Sequence, residues 1–343
     1  MSTLDVFREQ EAASVLQDAL VLVEPGLRAA VERLSEPMRT VVGYHFGWWD
    51  PDGQTAGSLG GKVIRPALAL ECAHAVAGAP DPAVAGAVAV ELAHNFTLLH
   101  DDVMDQDRTR RHRPAAWAVF GTSNAILAGD ALLVAAIEVL ATHPSPLSGE
   151  AVRLLCTALA EIVHGQGADL AFEQRHDVTL DECLAMATSK TAALLECACA
   201  LGALLAGAEP PRVRQLGQFG HHLGMAFQLA DDLLGIWGDS ETTGKPVRAD
   251  LRAAKKSLPI VAALASGTAA AGELSALYLR SEPLEDSDLE QAVRLVEQAG
   301  GRAWAQDEAA RQLAAALSCL ADAAPRSGGQ LATLAHLITH RSR

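Results

Sequence analysis

The chain has 343 residues, with 27 Lys and Arg against 42 Asp and Glu, and its formal net charge of −15 argues against a nucleic-acid surface or an anionic membrane surface as a partner. Half of the residues are hydrophobic and only 4% are aromatic, so a sizeable core must be aliphatic, which favours helix over strand. The length exceeds that of a typical domain but suits one large helical bundle, and we expect a single domain over 1–343 with 1–15 as a frayed start.

In chain order, an amphipathic helix is predicted to about residue 40, with Leu16, Leu20, Val23 and Leu27 at helical spacing and Pro25 as a point of kinking or division. A loop from Gly43 to Gly61 follows, in which Trp48 and Trp49 read as hydrophobic anchors. Gly60-Gly61-Lys62-Val63-Ile64-Arg65-Pro66 leads into a helix ending near Ala77, and Pro80 and Pro82 mark the next break. From about Ala83 a long helix carries Val90, His94, Thr97 and Asp101 on one stripe and ends in Asp101-Asp102-Val103-Met104-Asp105. A basic loop with Arg108, Arg110, Arg111, His112 and Arg113 comes next. Helices are predicted over 123–141, 149–172, 180–206 and 210–236, then a polar loop from Gly238 to Lys256 and further helices broken near Gly267, Pro283 and Pro325.

The six cysteines show no metal-ligand spacing and read as reduced core residues of a cytoplasmic protein. The start of the chain lacks the basic and apolar regions of a signal peptide, and no apolar stretch reads as long and uniform enough for a membrane span.

The acidic run is the first feature with chemistry in it. Asp101 and Asp105 lie one turn apart on a shared helix face, with Asp102 beside them. Such carboxylates repel one another unless a cation sits among them, and hard oxygen ligands suit Mg²⁺, which keeps several waters and binds through a few carboxylates plus phosphates. A solvated acidic face is the plain alternative. An echo lies downstream: Leu98-Leu99-His100-Asp101-Asp102 is similar to Gln228-Leu229-Ala230-Asp231-Asp232, an apolar helix ending in paired aspartates before a loop that carries cations. Helix bundles build metal sites from carboxylates on facing helices.

Taken together, these motifs resemble the trans-isoprenyl diphosphate synthase family, most nearly its geranylgeranyl diphosphate synthases. The resemblance runs from about Gly60 to Pro259. It rests on Gly60-Gly61-Lys62 with Arg65-Pro66, Asp101 to Asp105 followed by Arg110-Arg111, Lys190-Thr191, Phe227 to Asp232, Thr243-Gly244-Lys245, Asp250 and Lys255, all in the family's order. It implies an all-α bundle around a central catalytic cavity, the isoprenoid synthase type I fold, and a homodimer. The implied reaction condenses isopentenyl diphosphate with an allylic diphosphate by Mg²⁺-dependent ionisation of the allylic C–O bond, with three ions stabilising the departing diphosphate.

The resemblance also assigns roles. Asp101, Asp105 and Asp231 coordinate metal, while Asp102 and Asp232 shape its surroundings. Arg110, Lys190 and Lys245 contact the allylic diphosphate, with Lys255 favoured over Lys256 as a further contact. Lys62, Arg65, His94 and Arg111 bind isopentenyl diphosphate, and helix geometry independently puts His94, seven residues before Asp101, on nearly the same face. Thr191 and Gln228 supply polar contacts beside the developing cation. Phe96 and Thr97, the fifth and fourth residues before the first motif, set product length, and this pairing implies a C20 product with farnesyl diphosphate as the alternative.

One departure stands out. Gly235 lies one turn after Asp231, where many relatives carry a third aspartate, so the second motif is short of a carboxylate, with Asp239 as a possible outer substitute. Rival readings are a type I terpene cyclase, which needs no second diphosphate site, a non-catalytic partner subunit, and a helical interaction protein with solvated acidic clusters. Lys62, Arg65 and Arg111 speak against the cyclase, and the two intact aspartate pairs against the non-catalytic subunit.

Overall fold

The structure, a computed structural model, describes residues 3–57, 63–238, 248–280, 284–324 and 327–339, with the backbone alone for 3–8 and 249. The described residues are predominantly helical, and one antiparallel pair, β1 (Thr109–Arg110) with β2 (Arg113–Pro114), accompanies the helices. Their packing divides the chain into two compact units, each assembled from separated segments. The divisions fall inside helices, after Leu159, after Glu196 and after Gly217, so no linker composition announces them.

The first unit comprises Met1–Leu159, Cys197–Gly217 and Asp322–Thr333. It contains α1 (Thr3–Glu32), α2 (Met38–Phe46), α3 (Ile64–Ala77), α4 (Val84–Met104), α5 (Ala116–Phe120), α6 (Thr122–Ala141) and the start of α7 (Ser148–Glu173). Helix α1 starts at Thr3 and runs through Pro25 without a break, with Ala12 and Val15 already buried. Helix α2 begins within the stretch expected to be the first helix and continues to Phe46, into the start of the expected loop: it ends at Gly47, whose positive φ lets its N–H close back onto Gly43 and Tyr44. Trp48 stacks on Phe46 under the Arg28 guanidinium and is an anchor, as its composition suggested. Helix α4 packs against α1, α3 and α6, burying one face of Ala, Val and Leu and leaving the His94, Thr97, Leu98 and Asp101 stripe half-buried.

The second unit comprises Ala160–Glu196, Gln218–Ala321 and Leu334–Arg343. It holds the rest of α7, then α8 (Leu180–Ala187), a π-helical turn (Thr188–Ala192) and the start of α9 (Ala193–Leu205), and most of α10 (Pro210–Trp237). After these come α11 (Ala249–Arg252), α12 (Leu258–Leu264), α13 (Ala269–Tyr278), α14 (Asp286–Gln298), α15 (Gly301–Ala323) and α16 (Gly329–Thr339), whose last residues close the unit. Helix α8 begins in a capping box in which Thr179 Oγ1 accepts from Glu182 N at 3.3 Å while Glu182 Oε2 accepts from Thr179 N at 2.9 Å, a motif worth about 1 kcal/mol.

Among the described residues, three helical stretches are long and apolar enough to cross a membrane, contrary to the reading of the sequence: Asp81–Met104, Thr122–Ala141 and Leu180–Leu205. Their hydropathy comes from Ala, Val and Leu, which a helical core demands as much as a bilayer does. Of their apolar windows, 67%, 39% and 61% are buried inside the structure, so α6 is the one left mostly uncovered. Cys72, Cys183, Cys197 and Cys199 are buried as expected, whereas Cys156 is exposed.

Candidate active site

In the first unit, α4 presents Asp101 half-buried and Asp105 exposed on the shared face that their spacing predicted. Asp102, one residue round the helix, is 1% exposed and belongs to another environment. Its Oδ1 accepts from Arg110 Nε at 2.9 Å and from Arg110 Nη2 as well. Burial works against the Arg110 charge, but these bonds and the Asp102 charge outweigh it and raise the guanidinium's pKa.

The loop after α4 folds into a hairpin, with Arg110 opposite Arg113 and Arg111 and His112 at its tip, both at positive φ. Two such residues make a turn usually given to Asn and Gly, and side chains held in that region cluster at functional sites. The turn sends Arg111 into a buried polar group. Its Nη2 donates to Asn95 Oδ1 at 3.3 Å, and His45 Nε2 lies 3.2 Å from the same oxygen. Asn95 Nδ2 donates to the Glu91 carbonyl and to Glu91 Oε1, so Oδ1 is a pure acceptor here and the His45 proton resides on Nε2.

Burial and the Arg111 and Arg110 charges hold His45 neutral, with its pKa pushed down to about 3. His94 is likewise pushed well below its usual value, by burial and then by Arg65 and Arg111. Burial raises the Glu91 pKa, while Arg65 and Arg111 oppose the rise. Arg65, His94 and Arg111 are therefore brought together, and Arg111 Nη1 is buried with no hydrogen-bond partner among the described residues. A fixed guanidinium with spare donors is equipped for an anion.

In the second unit, Lys190 and Thr191 sit on the π-helical turn between α8 and α9. Such turns often mark functional sites, because the widened helix re-aims its side chains. Close neighbours keep it in place: a Cβ on Gly165 of α7 would fall 2.8 Å from Lys190 Cα, and one on Gly224 of α10 would fall 2.6 Å from Ala192 Cα. Lys190 Nζ reaches Asp169 Oδ2 at 2.5 Å. Thr191 Oγ1 donates to Gln228 Oε1 at 2.5 Å, and Gln228 Nε2 donates to Asp232 Oδ1 at 2.7 Å, so the expected Thr191 and Gln228 pair forms one chain ending on Asp232.

Asp232 repeats the behaviour of Asp102. It is 4% exposed, and its second oxygen accepts the Leu258 N–H at 2.9 Å, capping α12 where the adjacent Ser257 hydroxyl makes no such bond. Burial and the Asp250 charge push its pKa up to about 7, with Lys255, the Leu258 N–H and Gln228 pulling the other way. Asp231, its neighbour, is exposed. Lys255 is half-buried near Asp250, Asp169, Asp232 and Asp231, and their charges overcome desolvation and raise its pKa. Lys256 faces the Glu173 carbonyl at 3.5 Å, away from this group, which favours Lys255 in the assignment. Lys62, Lys245 and Asp239 lie outside the described residues.

Asp169, Asn95, Glu91 and His45 were not singled out in the sequence. The Gly165-Gln166-Gly167-Ala168-Asp169 run, two glycines in an otherwise Ala/Leu-rich helix, was the available signal for the first. A charged Glu91 within an apolar helix, three residues before His94, was the signal for the group around Arg111.

Comparison with known proteins shows the family. The polyprenyl synthetase family matches residues 53–296. The chain belongs to this family. It is 48% identical over 95% of its length, and 92% of the other's, to (2E,6E)-farnesyl diphosphate synthase of Mycobacterium tuberculosis. It is 45% identical, over 96% and 93%, to that organism's geranylgeranyl diphosphate synthase. A polyprenyl synthetase from Streptomyces coelicolor A3(2) superposes with a TM-score of 0.90 at 46% identity, covering 95% of this chain and 98% of the other. A polyprenyl synthase from Caulobacter crescentus CB15, solved with calcium and isoprenyl diphosphate, gives 0.84 at 26% identity, covering 97% of each chain. This polyprenyl synthetase is thus an all-α prenyltransferase of the isoprenoid synthase fold.

The donor set fits the divalent metal that the family uses. Asp101 and Asp105 in the first unit, and Asp231 in the second, are hard oxygen donors less buried than their neighbours Asp102 and Asp232. No three His, Cys, Asp or Glu side chains among the described residues form a ready-made cage. A hard divalent cation that retains water and takes phosphate oxygens as further ligands would need none.

Proposed function

We propose that the protein is a short-chain trans-prenyltransferase that condenses isopentenyl diphosphate with an allylic diphosphate and releases geranylgeranyl diphosphate. The observation that carries this reading is the Arg65, His94 and Arg111 group, with Arg111 fixed by Asn95 and retaining a buried donor. A cyclase has no use for a second, metal-free anion site. Arg65, Arg111, His94 and Lys62 hold the isopentenyl diphosphate, which is bound without being expelled because no carboxylate pair brings a metal to it.

Asp101, Asp105 and Asp231 are the proposed holders of Mg²⁺, three ions in all, which when bound neutralise the departing diphosphate. Arg110, Lys190, Lys245 and Lys255 bind that diphosphate. Thr191 and Gln228 face the allylic carbon, held by the hydrogen-bond chain to Asp232. We assign the proton lost at the end to the released diphosphate. A cytoplasmic homodimer completes the reading, its second copy covering the exposed Ile126, Leu127 and Val134 of α6.

Two placements support the C20 product. Phe96 is 6% exposed and packs edge-to-face on His100, itself 3.0 Å from the Ile126 carbonyl, so its bulk is turned toward α6. Thr97, which shares the half-buried stripe with His94 and Asp101, is small. The farnesyl reading keeps the support of a relative 48% identical. Chromatography of products from C5, C10 and C15 primers separates the two. The wild type should end at C20 and Thr97→Phe at C15, because a packed wall does not yield a five-carbon unit of space. A wild-type limit of C15 would transfer the assignment to farnesyl diphosphate.

A further inference from the structure

Position 235 lies one turn after Asp231 on α10, so its side chain would project on the Asp231 face. The short second motif therefore poses a question of where its missing carboxylate has gone. An ideal Cβ on Gly235 would come within 3.0 Å of the Cγ and both oxygens of Asp250, so the Asp250 carboxylate fills the space in which a residue-235 side chain would begin. No methyl group fits there without moving it, since real Cβ atoms do not approach other atoms so closely.

We propose that Asp250 supplies the second motif's third carboxylate in this chain, delivered from α11 across the gap that Gly235 leaves on α10. This rests on the reading of Asp231 as a metal holder. Two features of the second unit agree with it. Asp250 is held near its place by the chain itself, because the Lys255 N–H donates to the Asp250 carbonyl at 2.9 Å and closes the turn after α11. Asp231 and Asp250 also act on one and the same ammonium, that of Lys255, so both charges are directed at a common neighbourhood.

In this chain, an aspartate at 235 beside Asp250 as it is placed here would set two like charges in contact, which disfavours both ionised forms. Restoring the aspartate that other family members carry should accordingly weaken the site, unless Asp250 is removed in the same step. Because the displaced atoms are the tip of a side chain, Gly235→Ala moves the carboxylate without breaking the helix.

The test is Mn²⁺ binding in the presence of inorganic diphosphate, with the free ion read by electron paramagnetic resonance and a protein-free control subtracted, so that turnover is not needed. Asp250→Asn and Gly235→Ala should each weaken Mn²⁺ binding about tenfold or more. Gly235→Asp should bind no tighter than the wild type, whereas Gly235→Asp combined with Asp250→Ala should return to within about threefold of it. Binding by Asp250→Asn equal to the wild type, or tighter binding by Gly235→Asp with Asp250 intact, would overturn the proposal. If the wild type itself binds no Mn²⁺, the metal reading beneath it fails first, a different and recognisable result. Thermal unfolding followed by circular dichroism reports whether each single variant folds; should one fail, the double variant still decides.

Discussion

Asp101 and Asp102 are neighbours with the same chemistry, and their environments part them. One residue is 100° of helix, enough to carry Asp102 from the half-buried stripe into contact with Arg110. The same division separates Asp231 from Asp232. Asp101→Ala is accordingly expected to cut kcat by about a hundredfold or more while leaving the helical circular-dichroism spectrum and melting intact. Asp102→Ala, which strands the Arg110 charge, should cost about 3 kcal/mol of stability. Equal melting of the two variants would contradict the division. The sequence carried the paired aspartates and their helical faces, but which member of each pair is consumed by a buried partner depends on the Arg110 hairpin and the Leu258 helix start, neither of which a local pattern reveals.

His45 gives the residue scale a pH dependence. The unfolded imidazole takes up a proton near pH 6.5, whereas in the fold it stays neutral down to about pH 3. The unfolded state therefore binds more protons below pH 6.5, and stability is full above that value and falls as the pH drops through it. The slope is up to about 1.4 kcal/mol per pH unit. Urea unfolding at pH 7.0 and pH 5.5 should show the wild type losing about 1 kcal/mol more than His45→Asn. Equal losses would mean that His45 is charged in the fold.

Among the elements, the π-helical turn at Thr188–Ala192 matters most, because it aims Lys190 and Thr191 from what the sequence shows only as one continuous helix over 180–206. Periodicity cannot disclose it, since one extra residue in a turn barely disturbs an Ala/Leu pattern. Its cause is tertiary: Gly165 and Gly224 let two helix backbones close on it. Gly224→Ala pushes a methyl group against the Ala192 backbone, which cannot rotate away. The expected cost is about 1–3 kcal/mol, with a lower kcat as Lys190 and Thr191 shift. Thermal melts and steady-state kinetics would check it, and an unaffected enzyme would show that the close approach is not what shapes the turn. The helices themselves were legible from spacing and capping, α4 and α10 within a residue or two of their observed ends, whereas the break between α1 and α2 was not, and the end of α2 was hidden by the Gly and Trp residues that suggested a loop.

At the scale of the whole molecule, the sequence disclosed an all-α chain because Ala and Leu dominate and aromatics are scarce. It did not disclose the two compact units, whose divisions run through continuous helices. Nor did it separate helices that are apolar because they are core from those with an uncovered face; α6, with Ile126, Leu127 and Val134 exposed, needed the structure. The net charge of −15 finds its counterpart in where the cations are spent: Arg65, Arg110 and Arg111 are concentrated around one buried polar group in the first unit, and Lys190 and Lys255 among carboxylates in the second. A chain so acidic binds anions only by such local concentration.

That concentration is the centre of the account, and incorporation of labelled isopentenyl diphosphate measures it directly. Purified protein with Mg²⁺ and an allylic diphosphate should convert the label into a longer prenyl diphosphate, and omission of the metal should abolish the conversion. Release of hydrocarbon from the allylic substrate alone, with the label left untouched, would contradict it.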